Sequence, residues 1–128
     1  MNQEPYLSLQ LRTFSAETPI SWQPVVDQAI AADRAGVGKV VVSDHVVFGE
    51  ELGMYGDPKI GGISGGTQPT GPDGHWLEPL TFLSLIAGVT TDVRLGTNIL
   101  LAALRRPAVL AKTLATLDVL SGGRVDLG

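Results

Sequence analysis

Lys39-Val40-Val41-Val42-Ser43-Asp44-His45 changes character at one point: a run of valines behind a lysine gives way to three consecutive polar side chains. A short β-branched run suits a buried strand. Sequence of helical periodicity lies on both sides of it, and βα units place their chemistry at the carboxyl ends of parallel strands. Asp44 and His45 stand at such an end, either as a functional pair or as residues that close a turn.

Working outward, Tyr6-Leu7-Ser8-Leu9-Gln10-Leu11 alternates apolar and polar side chains and predicts a first strand, with residues 12–19 as its loop. Ser21 is an expected N-cap for a helix over 22–35, in which Val25, Val26, Ala29, Ile30 and Ala32 recur at helical spacing and Gly36 supplies the stop. Trp22 reads as a packing residue. Strand, helix, strand makes one βαβ unit. On the other side, residues 46–75 lose all periodicity among glycines and prolines, which predicts a long loop beginning at His45 and covering a site there. Phe48, Tyr55 and Trp76 are the aromatic side chains in or beside it, and Phe48 and Trp76 are the expected lining of a substrate pocket.

Glu78-Pro79 opens a second helix, with proline where its missing N–H costs nothing and glutamate set against the helix dipole; Leu80, Phe82, Leu83, Ile86 and Val89 form its apolar face. A third strand over 93–99, interrupted by Gly96, brings Thr97 and Asn98 to the same rim as Asp44 and His45. Arg106-Pro107 begins a third helix with Val109, Leu110, Leu114, Leu117 and Leu120 at spacings of three and four, ended by Ser121-Gly122-Gly123; residues 124–127 begin a fourth strand.

The chain has 128 residues, 44% apolar and 17% charged, with a formal net charge of −4, so one α/β domain spanning 1–128 is expected, carrying its long glycine-rich loop at 46–75. No basic footprint suggests nucleic acid or an anionic membrane surface. The absence of cysteine excludes disulfides and thiolate chemistry, and neither a leader-like start nor a membrane-spanning apolar run is present; the expectation is a soluble, cytoplasmic protein.

Strands of one sense leave two architectures open, a doubly wound sheet or the first half of an eight-stranded barrel. No G-x-G-x-x-G follows the first strand and no G-x-x-x-x-G-K-[ST] exists anywhere, which weighs against nucleotide-binding sheets. Gly61-Gly62-Ile63-Ser64-Gly65-Gly66 has no flanking strand or helix to aim its amides at a phosphate. The two histidines, His45 and His75, are separated by the loop and lack ligand-spaced partners, and no serine nucleophile elbow is present. What remains is an acid and an imidazole at a strand tip, enough for proton transfer or for hydrogen bonding to a ring.

Five stretches in order, Lys39–His45, Trp76-Leu77-Glu78-Pro79-Leu80-Thr81, Arg94-Leu95-Gly96-Thr97-Asn98-Ile99, Arg106-Pro107 through Asp118, and Leu120-Ser121-Gly122-Gly123-Arg124, resemble successive signatures of the bacterial luciferase-like superfamily. They are most similar to its branch of oxidoreductases that use coenzyme F420. The resemblance covers residues 6 to 128 and implies the first half, about four βα units, of a TIM (β/α)8 barrel. It implies an oxidoreductase that moves hydride between F420, or alternatively FMN, and a small organic substrate, with FMN-dependent monooxygenases as the neighbouring branch. By position, His45 resembles the proton donor or acceptor beside the hydride-transfer centre and Asp44 its cofactor-contacting neighbour. Thr97, Asn98 and Ile99 match the strand tip that backs the ring, with a cis peptide expected between Asn98 and Ile99.

A half-barrel has open strand edges and an uncovered apolar face. The expected explanations are a fragment of a longer enzyme, a short paralogue whose halves pair into a homo-oligomer, a degraded product, or a non-catalytic half-barrel that only binds a partner.

Overall fold

The computed structural model describes residues 6–60 and 62–128. Met1–Pro5, where the absence of a leader was read, and Gly61 of the Gly61–Gly66 run lie outside them. The β-branched stretch is strand β3 (Lys39–Val42), preceded by β1 (Ser8–Gln10), β2 (Phe14–Ser15) and helix α1 (Gln23–Arg34). It is followed by β4 (His75–Trp76), α2 (Pro79–Val89), β5 (Arg94–Thr97), α3 (Pro107–Leu120) and β6 (Val125–Asp126).

Four strands form one sheet in the order β1-β3-β5-β6, every pair parallel, with Leu9 opposite Val40, Val40 opposite Leu95 and Leu95 opposite Val125. That order decides between the two architectures the sequence left open. A doubly wound sheet reverses its strand order and carries helices on both faces. Here successive strands are neighbours, and Val26, Ala29 and Ala32 of α1, Phe82, Leu83 and Ile86 of α2 and Leu117 of α3 share one core with Val40, Val42 and Leu95. All three helices cover one face of the sheet, as they do outside a (β/α)8 barrel.

The other face is polar. Strand side chains alternate, so Lys39, Val41, Arg94 and Gly96 point away from the helices. A Cβ built on Gly96 would meet the Lys39 Cδ and Val41 Cγ1 at 3.1 Å, which explains the glycine that interrupts this strand. On this face the Asp126 carboxylate joins Lys39 Nζ (2.7 Å) and Arg94 Nη2 (2.5 Å).

The helix ends follow the local signals, with differences. Glu78 caps α2, accepting the Thr81 amide at 2.7 Å, and Gly36 (φ +74°) ends α1 while its amide bonds to Asp33 O. Ser21 accepts the Gln23 amide, but the N-cap position belongs to Trp22. The loop after His45 is more ordered than its composition suggests, with 3₁₀ turns at Leu52–Gly56 and Pro58–Ile60, and its end pairs antiparallel with β2, Phe14 opposite Trp76. On α3, Val109 and Leu120 of the predicted apolar row stay 62% and 79% exposed, because α2 and β6 reach only the side on which Leu117 lies.

Candidate active site

The tips of β3 and β5 lie side by side. Their ladder continues one residue past the strands, the Asn98 amide donating to Val42 O at 2.8 Å, so Ser43-Asp44-His45 and Asn98-Ile99 leave the sheet at one level and one rim. The Asn98–Ile99 peptide is cis, as expected from the resemblance. Asn98 and Ile99 are exposed at this rim.

The His45 ring stacks on Phe48 with centroids 3.6 Å apart and meets Trp76 at 5.0 Å. Trp76 in turn stacks on Phe14 at 4.4 Å, held by the β2–β4 pairing and by its indole N–H donating to Thr70 Oγ1 at 2.9 Å. Aromatic contacts of this kind fix a ring plane without using its polar atoms. The His45 Nε2 is buried and has no hydrogen-bond partner among the described residues. Buried polar atoms are nearly always satisfied in native proteins, and Thr13 Oγ1 is the other buried side-chain atom left without a partner among the described residues. His75 is elsewhere, its Nε2 3.0 Å from Thr18 Oγ1.

Asp44 reaches the same rim, but its carboxylate is turned inward, with 1% of the side chain exposed. It accepts the Leu101 amide at 2.8 Å and a two-pronged contact from Arg105, which also donates to Glu78 at 2.8 Å and to Leu101 O at 3.2 Å. One guanidinium thus ties the β3 tip, the start of α2 and the β5–α3 connection together. The Asp44 hydrogen bond, and then Glu78, raise the Arg105 pKa. At Glu78, burial pushes the carboxyl up, yet Arg105 and the Thr81 amide outweigh it and hold it below its ordinary value.

Thr97 is buried, and its hydroxyl exchanges hydrogen bonds with the Gly128 backbone at 3.2 Å, facing β6 rather than the rim. Phe48 is buried too, one face spent on His45. Sequence reasoning missed Arg105 and Gln10. The Gln10 side chain donates to Ser43 Oγ at 2.7 Å and accepts from Asn98 Nδ2 at 3.5 Å, spanning the mouth of the sheet. Their signals were faint: a second arginine just before a helix-opening Arg-Pro, and the last polar residue of an alternating strand.

A family model of luciferase-like monooxygenases matches residues 6–128, nearly the whole chain. The chain belongs to the luciferase-like family. Over 105 residues it is 34% identical to an F420-dependent glucose-6-phosphate dehydrogenase of Kineococcus radiotolerans, covering 81% of this chain and 25% of that enzyme. It superposes on a monooxygenase from Streptomyces bottropensis with a TM-score of 0.61 and 29% identity, over 97% of this chain and 32% of that one. The oxygenating constituent of a diketocamphane monooxygenase of Pseudomonas putida, solved with FMN, gives a TM-score of 0.61 at 19% identity, over 96% of this chain and 28% of that one. The fold is therefore the first part of a luciferase-like TIM barrel, and the chain spans about a quarter of the length of the curated relatives it matches. No described helix is long and apolar enough to cross a membrane.

Proposed function

We propose that this chain supplies the first four strands of a luciferase-like oxidoreductase that passes hydride between coenzyme F420 and a small organic substrate, with FMN as the alternative cofactor. The observation that carries the reading is the buried, unpartnered His45 Nε2, fixed between Phe48 and Trp76 at the rim where Asn98 and Ile99 emerge. The fit to a flat cofactor is good on this side: an exposed Ile99 offers apolar surface, Asn98 an amide, and His45 a polar atom that needs a partner. Bound F420 or FMN would supply the ring that accepts or gives up hydride. His45 holds or moves the accompanying proton at Nε2. Asn98, Ile99 and the Thr97 backbone form the wall behind the ring. Asp44 fixes that wall through Leu101 and Arg105, its oxygens being engaged there. Phe48 and Trp76 orient His45 and close the substrate side.

The remaining strands of the barrel, or a second copy of the chain, complete the cleft; the apolar side chains Val109, Val119 and Leu120 on α3 are surface for them to cover. Titrating the protein with F420 and with FMN, followed by fluorescence and absorbance, tests the reading. Saturable binding of one of them supports it, and His45→Ala in the complete enzyme is expected to lower turnover roughly 10²- to 10⁴-fold. Binding of neither leaves a non-catalytic half-barrel.

A further inference from the structure

The two ends of the long loop meet on one imidazole. Phe48, near the start of the loop, stacks on His45 with centroids 3.6 Å apart, and Trp76, just past its end, meets the same ring at 5.0 Å. Phe48 and Trp76 also touch each other edge-on at 5.8 Å, so the imidazole is one side of a closed aromatic triangle. Ring contacts permit several offset and edge-on arrangements, so the triangle is only as fixed as Trp76 itself.

Trp76 has one directional side-chain bond. Its indole N–H donates to Thr70 Oγ1 at 2.9 Å, and Thr70 is 4% exposed, a rare setting for a loop hydroxyl. An indole nitrogen can only donate, so a buried acceptor at one place selects one orientation of the ring. The chain is shaped to keep that acceptor there. It turns over Gly71–Gly74, the Gly74 amide donating to Gly71 O at 3.0 Å, and passes close enough that a Cβ on Gly74 would stand 2.3 Å from Thr70 Cβ and 2.5 Å from Thr70 Oγ1. Beyond the indole, the Leu77 amide donates to Thr13 O at 3.0 Å and Phe14 stacks on Trp76 at 4.4 Å, which anchors the tryptophan's backbone and one of its contacts but not its N–H.

Resting on the oxidoreductase reading above, we infer that Thr70 is a positioning residue for His45: through the Trp76 indole it sets where the imidazole stands at the rim, and Gly74 leaves its hydroxyl the room to do so. Thr70→Val removes the acceptor and Gly74→Ala displaces it, so both release the same ring. The chain has two histidines and two tryptophans, which keeps the relevant NMR signals few. Proton Overhauser contacts between the His45 and Trp76 rings are expected in the unaltered chain and in Thr70→Ser, and are expected to vanish in Thr70→Val and Gly74→Ala. The methyl signals of Val40 and Leu95 in the sheet core should stay in place throughout. Contacts that persist in both disruptive variants overturn the inference, and so does their loss together with the core signals, since the hydroxyl would then hold up the fold rather than one ring. In the complete enzyme Thr70→Val is expected to lower turnover roughly tenfold with the Kd for F420 or FMN unchanged, and Thr70→Ser to restore it. Released contacts with unchanged turnover, where His45→Ala still lowers it, sink this inference alone. Unchanged turnover in His45→Ala sinks the reading of His45 above, and the Overhauser contacts then decide the placement of the ring by themselves.

Discussion

Removing the Asp44 carboxylate would leave the Leu101 amide without its acceptor and Arg105, whose side chain is 18% exposed, with Glu78 as its remaining anion. Breaking one side of a buried pair costs about 3 kcal/mol, so Asp44→Ala is expected to lower the midpoint of urea unfolding sharply, with Arg105→Ala close behind. The two changes together should cost well under their sum, since they remove one interaction from either end. Asp33 poses the same question on the opposite rim: its carboxylate accepts the amides of Thr91, Asp92 and Val93 within 2.9 Å, joining α1 to the start of β5. Burial pushes its pKa up, but those amides outweigh burial and hold it below the ordinary value. Asp33→Ala strands three donors and should cost roughly 2 kcal/mol, read as a fall in Tm of several degrees. His45 was legible at this scale because a β-branched run ending in polar residues marks a strand tip locally. Asp44 was legible as a position and not as a partner, since Arg105 is 61 residues away.

At the scale of elements, the C-terminal end of α2 has neither a glycine stop nor a basic last turn, and Arg124, the residue before β6, takes over both duties. Its guanidinium donates to the carbonyl oxygens of Ala87, Thr90, Val93 and Ser121 and to Thr90 Oγ1. Those of Ala87 and Thr90 are carbonyls the end of α2 otherwise leaves to water. Arg124→Ala is expected to cost about 2 to 3 kcal/mol in chemical denaturation. Arg124→Lys should recover little of it, because a point charge cannot fork across that many acceptors. The sequence placed Arg124 correctly after the Gly122-Gly123 stop, where φ is +73° and +82°, and had no means of knowing that it reaches back to Ala87 in α2, 37 residues earlier.

For the whole molecule, the helix-free face of the sheet holds its charges in one cluster. The Arg94 hydrogen bond, and then Lys39, pull the Asp126 carboxyl down from 3.8 to about 2. A carboxyl depressed in the folded state adds stability above its unfolded pKa and loses it as the pH falls through the folded one. The Tm difference between the protein and Asp126→Asn should therefore hold steady from pH 7 to about 4 and shrink toward zero as the pH approaches about 2. At neutral pH the difference is expected to be a few degrees, on the order of 1 kcal/mol for a partly solvated pair. The exposed row on α3 sets a second expectation: Val119 and Leu120, both more than three-quarters exposed, should promote self-association and dye binding in the isolated chain. Val119→Lys with Leu120→Lys should shift a sizing profile toward monomer.

The sequence by itself determined the order of the four parallel strands and three helices, the ends of α1, the start of α2, the two strand tips that converge and the place of the long loop, because periodicity, caps and glycine stops act within a few residues; it read residues 12–19 as loop, where the short strand β2 forms only by pairing with β4 sixty residues on. Only the tertiary structure decided the rest. Whether the sheet curls into part of a barrel or lies open depends on which face each helix covers. Which cation meets which carboxylate, why Gly96 must be small, and how the end of the loop after His45 pairs with β2 all depend on groups that meet from distant parts of the chain. Side-chain pattern reports the face a residue wants; closure of the chain in space chooses what waits there.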